Sequence, residues 1–354
     1  MDTSPAHEAI PAPVELGLDT FGDITVDADG AMLPAATVLR NIVEQGVRAD
    51  ELGLDFFGVG EHHRDDFAVS APELVLAAIA ARTERIRLGS AVTVLSSDDP
   101  VRVFERFATL DGLSGGRAEA VLGRGSFTES FPLFGYDLAD YETLFEEKLD
   151  LFAALRAEQP VTWSGTTRPP LNGQSVFPHT ASGSLRTWVG VGGTPASVVR
   201  AARYGLPIMI AIIGGPAERF APFADLHRRA LEQYGEPAQP VAIHSPGHVG
   251  ADDASARDEL WPHYRRNVER IGAERGWPAP SRAQFEAEAD AGSLYVGSAE
   301  TVARRIADAV RALGAARFDL KFANGSMPHA QLMASIERYG SEVMPRVRNI
   351  LAGE

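Results

Sequence analysis

The sequence predicts a (β/α)8 barrel, and three observations predict it. Strand-like and helix-like segments alternate almost from end to end. The strands are short continuous apolar runs, as a parallel sheet covered on both faces requires, and do not alternate apolar with polar. Eight such strand–helix units fit within 354 residues, which is the arithmetic of a closed barrel. A doubly wound open sheet is the alternative with the same local pattern. No linker interrupts the alternation, so the chain reads as one domain over 1–354, with residues 1–12 as a flexible tail.

The elements follow in order. VELGLD (Val14–Asp19) precedes LPAATVLRNIVEQGVRADELG, apolar at helical spacing and closed by Gly53. DFFGVGE precedes APELVLAAIAART, and IRLGSAVTVL, read as one strand, precedes PVRVFERFATLDGLSGG. AEAVLG passes through Gly123-Arg124-Gly125 into YETLFEEKLDLFAALRAE. A connector rich in Pro, Gly and Thr, from about Gln159 to Leu185, leads to TWVGVGG and the helix TPASVVRAARYG. LPIMIAII precedes PAERFAPFADLHRRALEQYG, and VAIHSPGHVG precedes a polar helix starting near Asp252. After a second insertion, Trp277–Gly292, and an extra helix AETVARRIADAVRALG, the strand RFDLKFA and a C-terminal helical segment finish the pattern. In such barrels the active site lies at the strand C-terminal ends.

Charge and composition exclude several classes. Lysine and arginine number 33 against 48 acidic residues, a net charge of −15, which repels nucleic acid and anionic membranes. The chain has no cysteine, so disulfides, thiolate metal sites and cysteine nucleophiles are out. The N-terminus lacks the basic and apolar regions of a secretory signal, and the most apolar run, Leu206–Ile213, is far below the roughly 20 residues a membrane span needs. The expectation is a soluble, cytoplasmic protein.

Three stretches carry candidate chemistry. In WVGVGGTPASVV a strand runs into Gly192-Gly193, then Thr194, then a helix with Pro195 in its first turn, where a missing N–H costs nothing. Thr194 is placed to cap that helix, Ser197 adds a hydroxyl one turn in, and free N–H groups at the positive helix end suit a phosphate. A capped helix after a glycine turn gives the same pattern without a ligand. Gly190-x-Gly192 begins a dinucleotide fingerprint, but Pro195 stands where the third glycine belongs. Arg124, between two glycines after the fourth strand, sits at the catalytic face with a guanidinium suited to phosphate or carboxylate. Glu61-His62-His63 reads as a metal site, a proton-transfer site or a polar strand end. Neighbouring side chains on an extended segment diverge, which disfavours both histidines on one metal and favours one histidine at the barrel mouth for proton transfer.

At the level of motifs, the run DFFGVGEHHRDDFAVSAPELVLAAIAARTERIRLGSAVTVLSSDDPVRVFERFATLDGLSGGRAEAVLGRGS resembles the bacterial luciferase-like flavin-dependent monooxygenases. The similarity continues through VGVGGTPASVVRAARYGLP to FANGS and SIERYGSEVMPRVR. The resemblance implies a barrel, usually dimeric, with FMN at the strand C-terminal ends. Reduced flavin, in many members supplied by a separate reductase, there activates O2 to oxidise a small organic substrate. It implies a cofactor site that includes Glu61, Gly123 and Gly192, with His62 beside the flavin ring as the proton-transfer residue. It further implies a non-prolyl cis peptide at Ala91–Val92 beneath the ring, and phosphate contacts from Gly193, Thr194, Ser197 and Arg124. Two residues depart from bacterial luciferase: Gly123 stands where luciferase has a reactive cysteine, and Glu142 where it has a second phosphate-contacting arginine. Light emission is therefore not implied. A deazaflavin-dependent hydride-transfer enzyme of the same fold, or a non-catalytic flavin-binding protein, shares these motifs.

Overall fold

In the computed structural model, which describes residues 13–125 and 127–353, the eight expected strands close on themselves. The first half comprises β1 (Glu15–Thr20), α1 (Ala35–Glu51), β2 (Phe56–Val59), α2 (Pro72–Ala80), β3 (Arg87–Ser90), β4 (Thr93–Val94), α3 (Pro100–Ser114) and β5 (Ala118–Gly123). After a short helix α4 (Ser130–Phe134) come α5 (Tyr141–Leu155), β6 (Val161–Trp163), β7 (Leu171–Gln174), β8 (Arg186–Val191) and α6 (Pro195–Arg203). The chain continues with β9 (Ile208–Ala211), α7 (Ala221–Tyr234), β10 (Val241–Val249), α8 (Asp253–Arg275), α9 (Arg282–Ala291) and β11 (Tyr295–Gly297). It ends with α10 (Ala299–Leu313), β12 (Arg317–Lys321), α11 (His329–Arg338) and α12 (Met344–Ala352), the last two joined by a π turn. Parallel pairing runs β1–β2–β3–β5–β8–β9–β10–β12 and returns to β1. That closure eliminates the open sheet. The N-terminal tail expected over residues 1–12 lies outside the described residues.

Local chemistry sets the helix ends. Pro100 opens α3 while the Asp99 side chain accepts from the Val101 and Arg102 N–H groups, and Gly115 in the left-handed region closes it. The polar helix α8 starts from a reciprocal capping box between Asp252 and Ser255. Among the described residues no helix is long and apolar enough to cross a membrane.

One expectation needs correction. IRLGSAVTVL is not one strand: it breaks at Ala91–Val92, whose peptide bond is cis, into β3 and β4. The connector 159–185 contains an antiparallel hairpin of β6 and β7, and the insertion 277–292 contains α9, capped by Ser281. In each case a short element pairs or caps locally without the long apolar run that marks a barrel strand.

The outward strand residues meet the helices in a continuous apolar layer, for example Phe318 and Leu320 of β12. The inward residues of the same strand are charged. Arg317, fully buried, donates to both carboxylate oxygens of Asp319 at 2.7–2.9 Å and to Glu119 of β5 at 2.7 Å, with its guanidinium 3.4 Å from the Phe56 ring centroid. Glu119, also fully buried, accepts from the Trp188 indole at 2.9 Å and from Arg186 at 3.0 Å. This hydrogen-bonded ionic plug fills one end of the barrel interior. Above it lies an apolar layer of Val121, Trp188, Met209 and Ala242, with Val92 packed against it.

Candidate active site

Beyond the C-terminal ends of the strands is one cavity, and the structure gathers most of the residues singled out above around it. Glu61, His62, Ala91, Val92, Gly123, Arg124 and Gly192 all line it. Gly193, Thr194 and Ser197 lie just beyond Gly192, at the start of α6, and are not part of its wall.

Each wall has a local cause. At the cis peptide, Val92 turns towards β5 and β8. A Cβ at Gly123 would stand 2.5 Å from Val92 Cγ2, so only glycine fits there. Val92 thus occupies the space a side chain at 123 would need.

The stretch Glu61-His62-His63 follows the end of β2, and its members part company. The buried Glu61 carboxylate accepts from His63 Nε2 at 2.9 Å and from the Val94 N–H at 2.9 Å. Glu61 therefore ties His63 and the restart of the chain after the cis peptide to one anchor. His63 sits edge-on to Phe134, and its Glu61 hydrogen bond, working against burial, raises the imidazole pKa. His62 turns the other way. Its N–H donates to the Val69 carbonyl at 2.9 Å, its ring stacks on Phe67 at 4.1 Å and meets Phe127 edge-on at 5.0 Å, and Nδ1 lies 3.4 Å from Glu129 Oε1. Burial pushes the Glu129 carboxyl up, but the His62 hydrogen bond and backbone N–H groups outweigh it and hold it below the usual range. The two histidines serve two different carboxylates. Among the described residues no group of three acidic or histidine side chains is placed to hold a metal ion.

The helix-start turn differs from expectation in one respect. Thr194 occupies the N-cap position of α6, yet its side chain accepts no backbone N–H; its hydroxyl instead pairs with Ser197 Oγ at 2.8 Å. Ser197 Oγ in turn is 2.8 Å from the Thr194 carbonyl. Gly193 reaches this turn with φ +94°, in the region that favours glycine. The two hydroxyls and the helix end thus cluster beside the cavity rim.

Sequence reasoning missed four residues here. Glu129 is one. Arg200, on α6, is the second: it binds Glu142 Oε2 at 2.9 Å, while Arg124 binds the other oxygen of the same carboxylate. On the resemblance alone, Glu142 stands for the loss of a cation. Its carboxylate in fact bridges two guanidinium groups, one of them supplied from a helix 58 residues away. The others are Asp19 and His244, paired on the inner face of the barrel.

A family model described as luciferase-like monooxygenase matches residues 20–317. The 4-hydroxyprotoasukamycin monooxygenase of Streptomyces nodosus subsp. asukaensis is 29% identical over 283 residues, 75% of each chain. Among solved structures, monooxygenase RslO1 from Streptomyces bottropensis superposes with a TM-score of 0.80 at 24% identity, over 94% of this chain and 99% of that one. The oxygenating constituent of 3,6-diketocamphane monooxygenase from Pseudomonas putida, solved in complex with FMN, gives 0.75 at 17% identity, over 95% and 99%.

Proposed function

The chain belongs to the luciferase-like monooxygenase family, and on that premise we propose that its cavity binds reduced FMN and uses O2 to oxidise a small organic substrate. The observation that carries this reading is the conjunction at one cavity of the cis Ala91–Val92 floor, the aromatic-caged His62 and the α6 helix start at the rim. The residues fit the cofactor. An apolar bed of Val92, Val191 and Met209 suits an aromatic ring, and hydroxyls with a positive helix end suit a phosphate. Bound there, the reduced flavin supplies the electrons that activate oxygen. His62, backed by Glu129, holds or delivers a proton at the ring edge, and Phe21, Phe67 and Phe127 keep water from it.

The phosphate reading is tested by affinity. Alanine at both Thr194 and Ser197 is expected to weaken FMN by about 10–100-fold while leaving riboflavin nearly unchanged, since a hydrogen bond to a charged group is worth about 1.5–3 kcal/mol. Calorimetric titration of both ligands checks it, and equal weakening of the two places the phosphate elsewhere. The same titration with the deazaflavin decides between the two cofactors.

Glu142 competes with any anion for Arg124 and Arg200. Glu142→Gln is expected to tighten FMN several-fold at low salt, where such interactions are least screened. An unchanged Kd at low salt means the two arginines do not face the phosphate.

The homodimer that the resemblance implies is supported by exposed apolar side chains around α2 and α3. Leu74 and Leu113, 74% and 66% exposed, border one depression with Phe134 and Phe177. Sedimentation of the Leu74→Glu, Leu113→Glu double variant is expected to show a monomer where the parent shows a dimer; a parent that sediments as a monomer refutes the assembly.

A further inference from the structure

Across the Phe21 ring from His62, the cavity has a further histidine that the reading above leaves unused. His244, on β10, lines the cavity, and its Nδ1 is 2.8 Å from Oδ2 of Asp19 on β1. Asp19 is 1% exposed, and its other oxygen, Oδ1, is buried with no partner among the described residues. A buried carboxylate bonded to one ring nitrogen fixes the imidazole's orientation and leaves Nε2 as the free polar atom. Nε2 makes no hydrogen bond among the described residues and is not one of the atoms sealed from solvent.

The surroundings narrow what this nitrogen can meet. The imidazole lies parallel to the Phe21 ring, 6° from coplanar with centroids 5.8 Å apart, and Phe21 in turn tilts against His62 at 5.3 Å. Phe21 thus separates the two histidines. Ala211 and Ile213 make the nearby wall apolar, beside the Val92, Val191 and Met209 bed assigned above to the flavin ring. The charged groups facing the imidazole are Asp19 from β1 and Asp319 and Lys321 from β12. Lys321 also packs over Phe21 at 4.7 Å and lies 3.5 Å from Asp23. Burial pushes the imidazole pKa down, but Asp19 outweighs it and the net direction is up.

We propose that His244, oriented by Asp19, binds the oxygen of a phenol- or enol-type substrate in this cavity, with the substrate's ring against the apolar wall. An apolar wall beside an imidazole nitrogen that has no protein partner fits a planar molecule that carries a single ionisable oxygen. A purely hydrocarbon substrate would leave that nitrogen unpaired, at a cost that selects against it. Asp19 acts through His244 and is a positioning residue. The proposal rests on the cavity being the substrate site.

The test compares two probes of nearly the same shape, 4-nitrophenol and nitrobenzene, titrated by calorimetry into the purified protein saturated with FMN, with the 4-nitrophenol difference spectrum followed in parallel. The parent is expected to prefer 4-nitrophenol by about tenfold or more. It should also bind the probe as the coloured phenolate at a pH where the free probe is mostly neutral. His244→Phe should bring the two affinities together while retaining nitrobenzene binding. Asp19→Asn, which alters no cavity-lining side chain, should lose the phenolate colour of the bound probe and keep nitrobenzene affinity. Equal affinities in the parent overturn the proposal, as does an undiminished preference in His244→Phe. If His244→Phe binds neither probe, Asp19→Asn decides by the same two readouts. Because no turnover is needed, a negative result leaves the flavin reading intact, and a failure of FMN to bind is seen separately in the titrations above.

Discussion

Replacing His62 by alanine is expected to lower turnover of reduced FMN and O2 into product by about 10²–10⁴-fold, the usual worth of a general acid or base. FMN affinity should stay close to that of the parent, because the proposed phosphate contacts come from other residues, Gly193, Thr194 and Ser197 at the start of α6. Three aromatic rings surround the imidazole, and only its edge faces a partner, Glu129. His62→Gln keeps bulk and one hydrogen-bonding end but cannot shuttle a proton at neutral pH, so it should fall nearly as far as His62→Ala. His63→Ala should cost much less in turnover, since its ring is committed to Glu61 and Phe134. Rates must be compared at matched FMN occupancy, measured by fluorescence. Equal turnover in parent and both His62 variants would show that the imidazole is only part of the aromatic wall.

The second large effect concerns stability. Glu119→Gln is expected to destabilise the fold by about 3–5 kcal/mol, because it leaves the buried Arg317 charge short of one of its two anionic partners. Arg186, which also reaches Glu119, is 31% exposed, and Arg186→Gln should cost far less. The pH dependence has a definite sign. Burial pushes the Glu119 carboxyl up, but Arg317, Arg186 and Arg87 overcome it and hold the pKa at about 2, against an ordinary value of 4.5. A group with a depressed folded-state pKa contributes stability above its unfolded pKa and loses it as pH falls through the folded value. The parent should therefore lose urea resistance steadily between pH 4.5 and 2, and Glu119→Gln should lack that component. A variant with the parent's urea midpoint at neutral pH would mean that the plug contributes no net stability.

The barrel was legible because strands such as Ile208–Ala211 are continuous apolar runs; β12 departs from that expectation, since its polar residues face the interior. The interior was not legible. In RFDLKFA the charges at Arg317, Asp319 and Lys321 alternate with Phe318 and Leu320, a pattern that a one-sided sheet would also show. Only closure turns those charges inward. The site divides in the same way. His62, Arg124 and the α6 turn follow directly from strand ends and could be read in place. Glu129 sits in a loop with no periodicity to announce its direction. Arg200 shares the last turn of α6 with a second arginine, Arg203, and nothing in the sequence distinguishes the two. Asp19 and His244 are 225 residues apart, and nothing local to either position signals the other. Pairs of that kind exist only once the first and seventh barrel strands have been set on either side of the eighth.

The central claim is that one cavity at the strand C-terminal ends holds the flavin, and a crystal structure of the protein grown with FMN tests it most directly. The expected result is density for the ring over Ala91–Val92 with its edge at His62, and for the phosphate at Gly193, Thr194 and Ser197 within reach of Arg124. Density for FMN outside this cavity, or FMN-free crystals from protein that binds no FMN in solution, would contradict it.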